Sequence, residues 1–353
     1  MARTASRFIV VMVALVATGL LDFGCARDQA NLTAPASQQP SLSVQGSQQQ
    51  GLGRAIAAQE RHTDRLLAMV GVVGTAVGLA RDGQPAVKIY TKAASVAGLP
   101  EALEGIPVVV EVTGSFVALQ GGGVDNTAIF TPPVPIGVST GNEGQCSAGT
   151  ISARVKDATN VYALSNNHVY ALENTAPIGS RVLQPGLFDT GCVLAGNNLL
   201  GTLFAFQPIV FKRKANNTID AAIALSSTAE LGNATPTGAG YGTPNHATVP
   251  AAVNQPVQKY GRTTSLTHGT VTAINATVLV GYSSGNARFV NQIIVQSGTQ
   301  FIGAGDSGSL LVTDDVNDNP VGLLFAGNGS GTLAVANPID LVLTHFGVTV
   351  DGK

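Results

Sequence analysis

From residue 136 to the C-terminus the chain is broken into short segments rich in Val, Ile, Leu and Thr, at 149–155, 160–165, 201–206, 257–260 and 292–296, with Gly, Asn and Pro between them. Segments this short, closed at both ends by turn formers, read as strands, and many in succession call for a sandwich or a closed barrel. A helical pattern returns only around 339–345. Composition agrees: charged residues make up 11% of the chain, against roughly 25% in an average soluble domain. The formal charge is −2, with no basic run, so neither nucleic acid nor an anionic membrane surface is expected as a partner.

The 353 residues leave room for a smaller unit ahead of the strands. Residues 1–25 read as an export signal: Arg3 and Arg7 supply positive charge, and the apolar stretch 8–21, stopped by Asp22, is too short to span a bilayer comfortably. Gly24-Cys25 suits a lipoprotein signal in which Cys25 is lipidated and attached to a membrane. Gly24-Cys25-Ala26 also fits ordinary signal cleavage, and lipidation is slightly preferred although Asp22 and Phe23 suit it poorly. Residues 26–51, rich in Gln, Ser and Pro, are expected to form a disordered tether. Over 52–113 an amphipathic helix (Leu52, Ile56, Thr63, Leu66, Leu67, Val70) precedes two strands about an Asp82-Gly83 turn, then a short helix and a last strand, a small α+β module. Three glycines and Pro132, Pro133 and Pro135 mark 114–135 as a linker before the main domain, 136–353. Either processing route leaves Cys146 and Cys192 as the thiols of the mature chain. An even pair in an oxidising compartment favours a disulfide, and two separate buried thiols are the alternative.

Three segments carry chemistry. Gly303-Ala-Gly-Asp-Ser-Gly-Ser309 can expose the Ser307 hydroxyl on a sharp turn, with the N–H groups of Gly305 and Ser307 converging on a developing oxyanion. His168 closes the apolar strand that ends in Leu164-Ser-Asn-Asn, and Asp220 opens the apolar run Asp220-Ala-Ala-Ile-Ala-Leu225. A serine nucleophile needs such an imidazole to take its proton and such a carboxylate to orient the imidazole.

In this order, His, Asp, Ser, the three segments resemble the trypsin and chymotrypsin-like serine peptidases. A fourth, Tyr260-Gly-Arg-Thr-Thr-Ser-Leu-Thr-His-Gly-Thr-Val271, resembles the bacterial secreted branch that includes alpha-lytic protease and the streptogrisins. The likeness spans about 136–350. It implies a mainly β fold of two six-stranded antiparallel Greek-key barrels with a C-terminal helix, behind the α+β module. It also implies an exported serine endopeptidase working through an acyl-enzyme, with protein or peptide substrates, no cofactor and no metal, as a monomer in the cell envelope or outside the cell. Carried over, His168, Asp220 and Ser307 form the triad, and Arg262 pairs with Asp306 to hold the oxyanion loop. Phe301, Phe325, Ala326 and Gly327 would line the substrate pocket, with Phe301 arguing against a preference for basic side chains.

Departures are visible as well. Gln258 and His268 stand where that branch has a cysteine pair, Val169 replaces the cysteine after the histidine, and Ser309 replaces a glycine. Cys192 is then the only partner for Cys146. The α+β module is either a pro-domain, as the resemblance implies, or a permanent spacer. The competing function is a non-catalytic, envelope-attached binding or structural protein, or a protease that processes only itself. His62, His246 and His345 read as surface residues and His268 as a packing residue. The Asp315–Asn319 stretch reads as a hairpin turn, since it lacks the glycine and glutamate of a calcium loop.

Overall fold

Alternation and turn chemistry make this chain a β protein, and the computed structural model, which describes residues 46–118 and 126–353, shows how its strands close. The expected signal segment and the first part of the tether lie outside the described residues. Seven strands come first in the main domain: β6 (Ser139–Asn142), β7 (Gly149–Thr150), β8 (Ala153–Lys156), β9 (Val161–Ser165), β10 (Arg181–Gln184), β11 (Asn198–Phe206) and β12 (Ala222–Ser226). Six follow: β13 (Pro256–Gly261), β14 (Ser265–Tyr282), β15 (Gly285–Gln296), β16 (Leu310–Thr313), β17 (Pro320–Gly327) and β18 (Leu333–Pro338), before helix α3 (Ile339–Phe346) and β19 (Thr349–Val350).

The two sets repeat one topology. The second runs β13-β16-β17-β18-β15-β14, and β13 also pairs with β14, which closes a six-stranded antiparallel barrel. The first runs β6-β10-β11-β12-β9-β8, the same order of first, fourth, fifth, sixth, third and second strand, with β7 added at β6 and β19 at β8. Each set folds around its own apolar cluster, Val138, Ile151, Val182, Leu203 and Ala224 in the first and Val257, Val271, Val295, Leu311 and Leu324 in the second. Between them, Val155, Tyr162, Leu164 and Ile223 meet Leu310, Val312, Leu323, Ile339 and Val342, so α3 seals the seam.

Ahead of the barrels stand α1 (Gly46–Leu67), β1 (Val72–Leu79), β2 (Pro85–Thr91), β3 (Ala102–Leu103), β4 (Ile106–Val112) and β5 (Phe116–Ala118). The helix buries Leu52, Ala55, Ala58, Leu66 and Leu67 against Val72, Val77, Val87 and Ile89. Gln59 and Thr63 reach the Thr75 hydroxyl at 2.8 and 2.9 Å. The helix begins inside the expected tether, because once the apolar stripe nucleates it, Ser and Gln residues extend it at little cost. It stops before Val70, which is exposed. Where a second helix was expected, β3 and β4 form a hairpin, turned by Glu104 and Gly105, whose φ angles are 52° and 79°.

This N-terminal unit does not stand apart. β1 pairs antiparallel with β14, so the sheet β1-β2-β4-β3 continues the second barrel through its long β14–β15 hairpin. β5 then enters the barrel edge, parallel to β14 at Val280 and Gly281 and antiparallel to β17 at Ala326 and Gly327. The expected linker also packs down at its far end: Val134 bridges to Leu231, and the Tyr260 hydroxyl donates to Asn126 Oδ1 at 2.7 Å.

Gly78 lies where β1 crosses β14, and a Cβ there would sit 2.6 Å from both the Thr272 carbonyl oxygen and Lys88 Cε. Gly78→Val is expected to weaken this seam by about 1–3 kcal/mol. Amide hydrogen exchange should then show β1 and β2 losing protection while β16–β18 keep theirs.

Candidate active site

The site assembles where the barrels meet. His168 lies in the short helix α2 (Asn167–Tyr170) directly after β9, Asp220 directly before β12, and Ser307 in the turn before β16, and all three are fully buried. His168 Nδ1 meets Asp220 Oδ2 at 2.6 Å, and the His168 amide donates to Asp220 Oδ1 at 3.2 Å. Asn166 and Asn337 amides clasp the Asp220 carbonyl at 2.7 and 3.3 Å, which fixes the backbone bearing the carboxylate. A carboxylate this deep needs donors such as the His168 ring and amide, since an unpaired buried charge costs several kcal/mol.

Ser307 Oγ donates to the Phe325 carbonyl at 3.3 Å. The His168 Nε2 atom is buried and has no hydrogen-bond partner among the described residues. Ser307 Oγ and His168 Nε2 are thus not bonded to each other in this arrangement. The Ser307 turn is pinned to the first barrel: Thr150 N donates to the Ser307 carbonyl and Thr150 Oγ1 to the Gly305 carbonyl, both at 2.8 Å. Gly305 and Gly308 have φ of 100° and 98°. A side chain at Gly305 would strike Arg262, and one at Gly308 would strike the Thr150 carbonyl and Ser165. Only glycine allows the turn to press this closely.

Beneath the turn the charges pair differently from expectation. Arg262, fully buried, forms a two-pronged pair with Asp189, with Nε 2.8 Å from Oδ2 and the second contact between Nη2 and Oδ1. Asp306 is met by Lys259 Nζ at 3.2 Å, by the Thr264 hydroxyl at 2.6 Å, and by the amides of Gly303, Thr263 and Thr264 at 2.8, 2.8 and 3.2 Å. The expected Arg262–Asp306 pair is therefore replaced by two pairs. The physical reason is a carboxylate on the first barrel, Asp189, on a 3-10 turn (Leu187–Thr190) whose end is tied by the Cys146–Cys192 disulfide, Cα atoms 5.0 Å apart. Ser139 Oγ also donates to Asp189. Burial pulls the Lys259 ammonium below the ordinary lysine range, and the adjacent Asp306 carboxylate opposes that.

The expected pocket residues divide. The Phe301 side chain lies in the second barrel's core beside Val257 and Val271. Phe325 packs on Phe289 with ring centroids 4.8 Å apart. Phe301 stands in the loop between β15 and β16 and Phe325 on β17, and both are fully buried. Ala326 and Gly327 offer their strand edge to β5. His268 is an exposed partner of Asp314 at 2.9 Å rather than a packing residue. The Asp315–Asn319 stretch is the β16–β17 turn, with the Asn317 amide on Asp315 Oδ1 at 2.8 Å.

Four residues near the site escaped sequence reasoning: Lys259, Asp189, Tyr282 and Glu173. Tyr282 donates to Asp220 Oδ2 at 2.8 Å. Glu173, just past α2, accepts from Ser283 and Ser284 at the tip of the β14–β15 hairpin. Burial alone would raise the Glu173 carboxyl, but the hydroxyls and amides of those serines outweigh it and hold the group below the usual carboxylate range. Lys259 alone carried a signal, a cation in a strand whose neighbours Val257 and Tyr260 are apolar.

Neither a family model nor a curated protein sequence matches the chain. Among solved structures it is similar to a glutamic acid specific serine protease, at 20% identity over 62% of this chain and 100% of that one, TM-score 0.45. It is also similar to Thermobifida fusca protease A, at 17% over 62% and 99%, TM-score 0.44, and to alpha-lytic protease homolog N4, at 18% over 61% and 98%, TM-score 0.43. The chain has the chymotrypsin-like double-barrel fold. At these identities and scores the likeness carries nothing about what the chain binds or cleaves. Among the described residues, no helix is long and apolar enough to cross a membrane.

Lys259→Met would leave the Asp306 carboxylate buried without its cation, and breaking a buried pair from one side costs about 3–5 kcal/mol. Urea unfolding should show that loss, and the double variant Lys259→Met/Asp306→Asn should recover part of it.

Proposed function

We propose that the protein is an exported serine endopeptidase that cleaves peptide bonds through an acyl-enzyme. In this reading Ser307 is the nucleophile, His168 the base and then the acid, and Asp220 the group that fixes the imidazole's tautomer. The N–H groups of Gly305 and Ser307 bind the oxyanion. The observation that carries the reading is the fully buried His168–Asp220 pair, with Nδ1 committed to the carboxylate at 2.6 Å. An imidazole held by one nitrogen, with the other able to accept a proton, is what acyl transfer to serine requires. Export, through lipidation of Cys25 or simple secretion, rests on the sequence of residues 1–26, and a disulfide suits an oxidising compartment.

The residues ahead of the barrels are, in this proposal, an inhibitory pro-region. β5 supports this: Val117 pairs with Gly327 and Ala118 with Ala326, the strand edge on which an extended substrate would add. Since residues 126–135 pack onto the barrels, removal of the pro-region would leave an N-terminus between 119 and 126. The competing reading, a non-catalytic protein that retains the fold, is favoured by the unmade bond between Ser307 and His168.

A fluorophosphonate probe separates the two. The wild type should be labelled and Ser307→Ala should not, with similar melting temperatures. Val117→Pro, which removes an amide from β5, should be labelled faster than the wild type. If no form is labelled, even after limited proteolysis between 119 and 126, the binding reading stands.

A further inference from the structure

We propose that Tyr282 is a positioning residue for the His168–Asp220 pair, its hydroxyl holding the Asp220 carboxylate in the orientation that aims His168; this rests on the peptidase reading above. The Tyr282 hydroxyl donates to Asp220 Oδ2 at 2.8 Å, the same oxygen that His168 Nδ1 meets at 2.6 Å. The tyrosine ring stands edge-on to the imidazole, centroids 5.8 Å apart. Phe211 and Phe289 lie beside that ring at centroid distances of 5.6 and 6.1 Å. With the His168 amide on Oδ1, the carboxylate is thus held from both oxygens, and Tyr282 supplies the side-chain hydroxyl among its donors.

The hairpin tip that bears Tyr282 is itself gripped by the segment that bears His168. Glu173 accepts the Ser283 amide and hydroxyl at 3.2 and 2.8 Å and the Ser284 amide at 2.7 Å. It is aimed there by three successive residues in the left-handed region, Leu172, Glu173 and Asn174, with φ of 50°, 56° and 76°. None is glycine, so the conformation is costly and must be held by its surroundings. The holding contacts are visible: Asn167 and Asn174 bond to each other through amide and backbone groups at 2.9 and 3.2 Å, and Asn174 bonds the Ile209 carbonyl and amide, both at 2.8 Å. Strain stored next to α2 thereby fixes the donor that meets Asp220. A phenol needed only for packing would not require its oxygen on the one carboxylate oxygen that the imidazole shares.

The test compares the wild-type exported chain with Tyr282→Phe and with Phe211→Leu, which thins the packing on the same ring but keeps the hydroxyl. Two quantities are read: the fluorophosphonate labelling rate, and the downfield proton resonance of the His168 Nδ1–H. Tyr282→Phe should slow labelling by roughly 10- to 100-fold, the range of a hydrogen bond to a charged group, and should displace the resonance while thermal unfolding changes little. Phe211→Leu should leave both near wild type. An undisplaced resonance in Tyr282→Phe, or equal slowing by Phe211→Leu with the resonance in place, overturns the proposal. A wild type that no treatment renders reactive sinks the peptidase reading instead, and the resonance alone then decides Tyr282.

Discussion

The carboxylate of Asp220 is fully buried, and most of the surrounding structure can be understood as what that burial demands. Moving such a charge out of water costs several kcal/mol unless donors replace the lost solvent. Here the donors are the His168 ring and amide and the Tyr282 hydroxyl, drawn from a helix on the first barrel and a hairpin on the second. Neither barrel could supply all of them alone. The carboxylate therefore ties the two barrels together as well as orienting an imidazole, and the unusual backbone at 172–174 is the local cost of bringing the hairpin tip within reach.

A second set of buried charges supports the turn that carries Ser307. Two cations and two carboxylates lie beneath it, paired as Arg262 with Asp189 and Lys259 with Asp306. Because Asp189 stands on the turn next to the Cys146–Cys192 bridge, the guanidinium under Gly305 is anchored to the first barrel, while Lys259 and Asp306 stay within the second. The turn is clamped from two sides. Such an arrangement is rigid rather than especially stable, since buried pairs offset much of their own desolvation.

Local chemistry was readable from the sequence and long-range partnership was not. Turn formers at fixed places gave the short strands, and the glycines around Ser307 announced a tight turn with φ values only glycine tolerates well. The partner of Arg262 lies 73 residues away, and nothing in either local segment points to the other. Lys259 would be taken as a surface lysine by residue type alone, and only its place among apolar neighbours in β13 signals otherwise. Tyr282 ends an 18-residue strand, so its reach to Asp220 depends on how far the β14–β15 hairpin extends, a property of pairing register. The helix expected before β4 failed for a local reason: Pro100 interrupts the pattern, and Glu104-Gly105 turns left-handed.

The N-terminal residues join a sheet that reaches the same hairpin, and β5 pairs with β17 at Ala326 and Gly327, so these residues are built onto the element that presents Tyr282. In the proposed peptidase an acylating centre is thus joined to a strand that would occlude it. The most direct test is rapid mixing of the protein, before and after cleavage between 119 and 126, with a p-nitrophenyl ester. The cleaved form should release a burst of nitrophenol approaching one equivalent per chain before slower turnover, as an acyl-enzyme requires, and the uncleaved form should show little. A linear release without a burst, or a burst that survives Ser307→Ala, would contradict it.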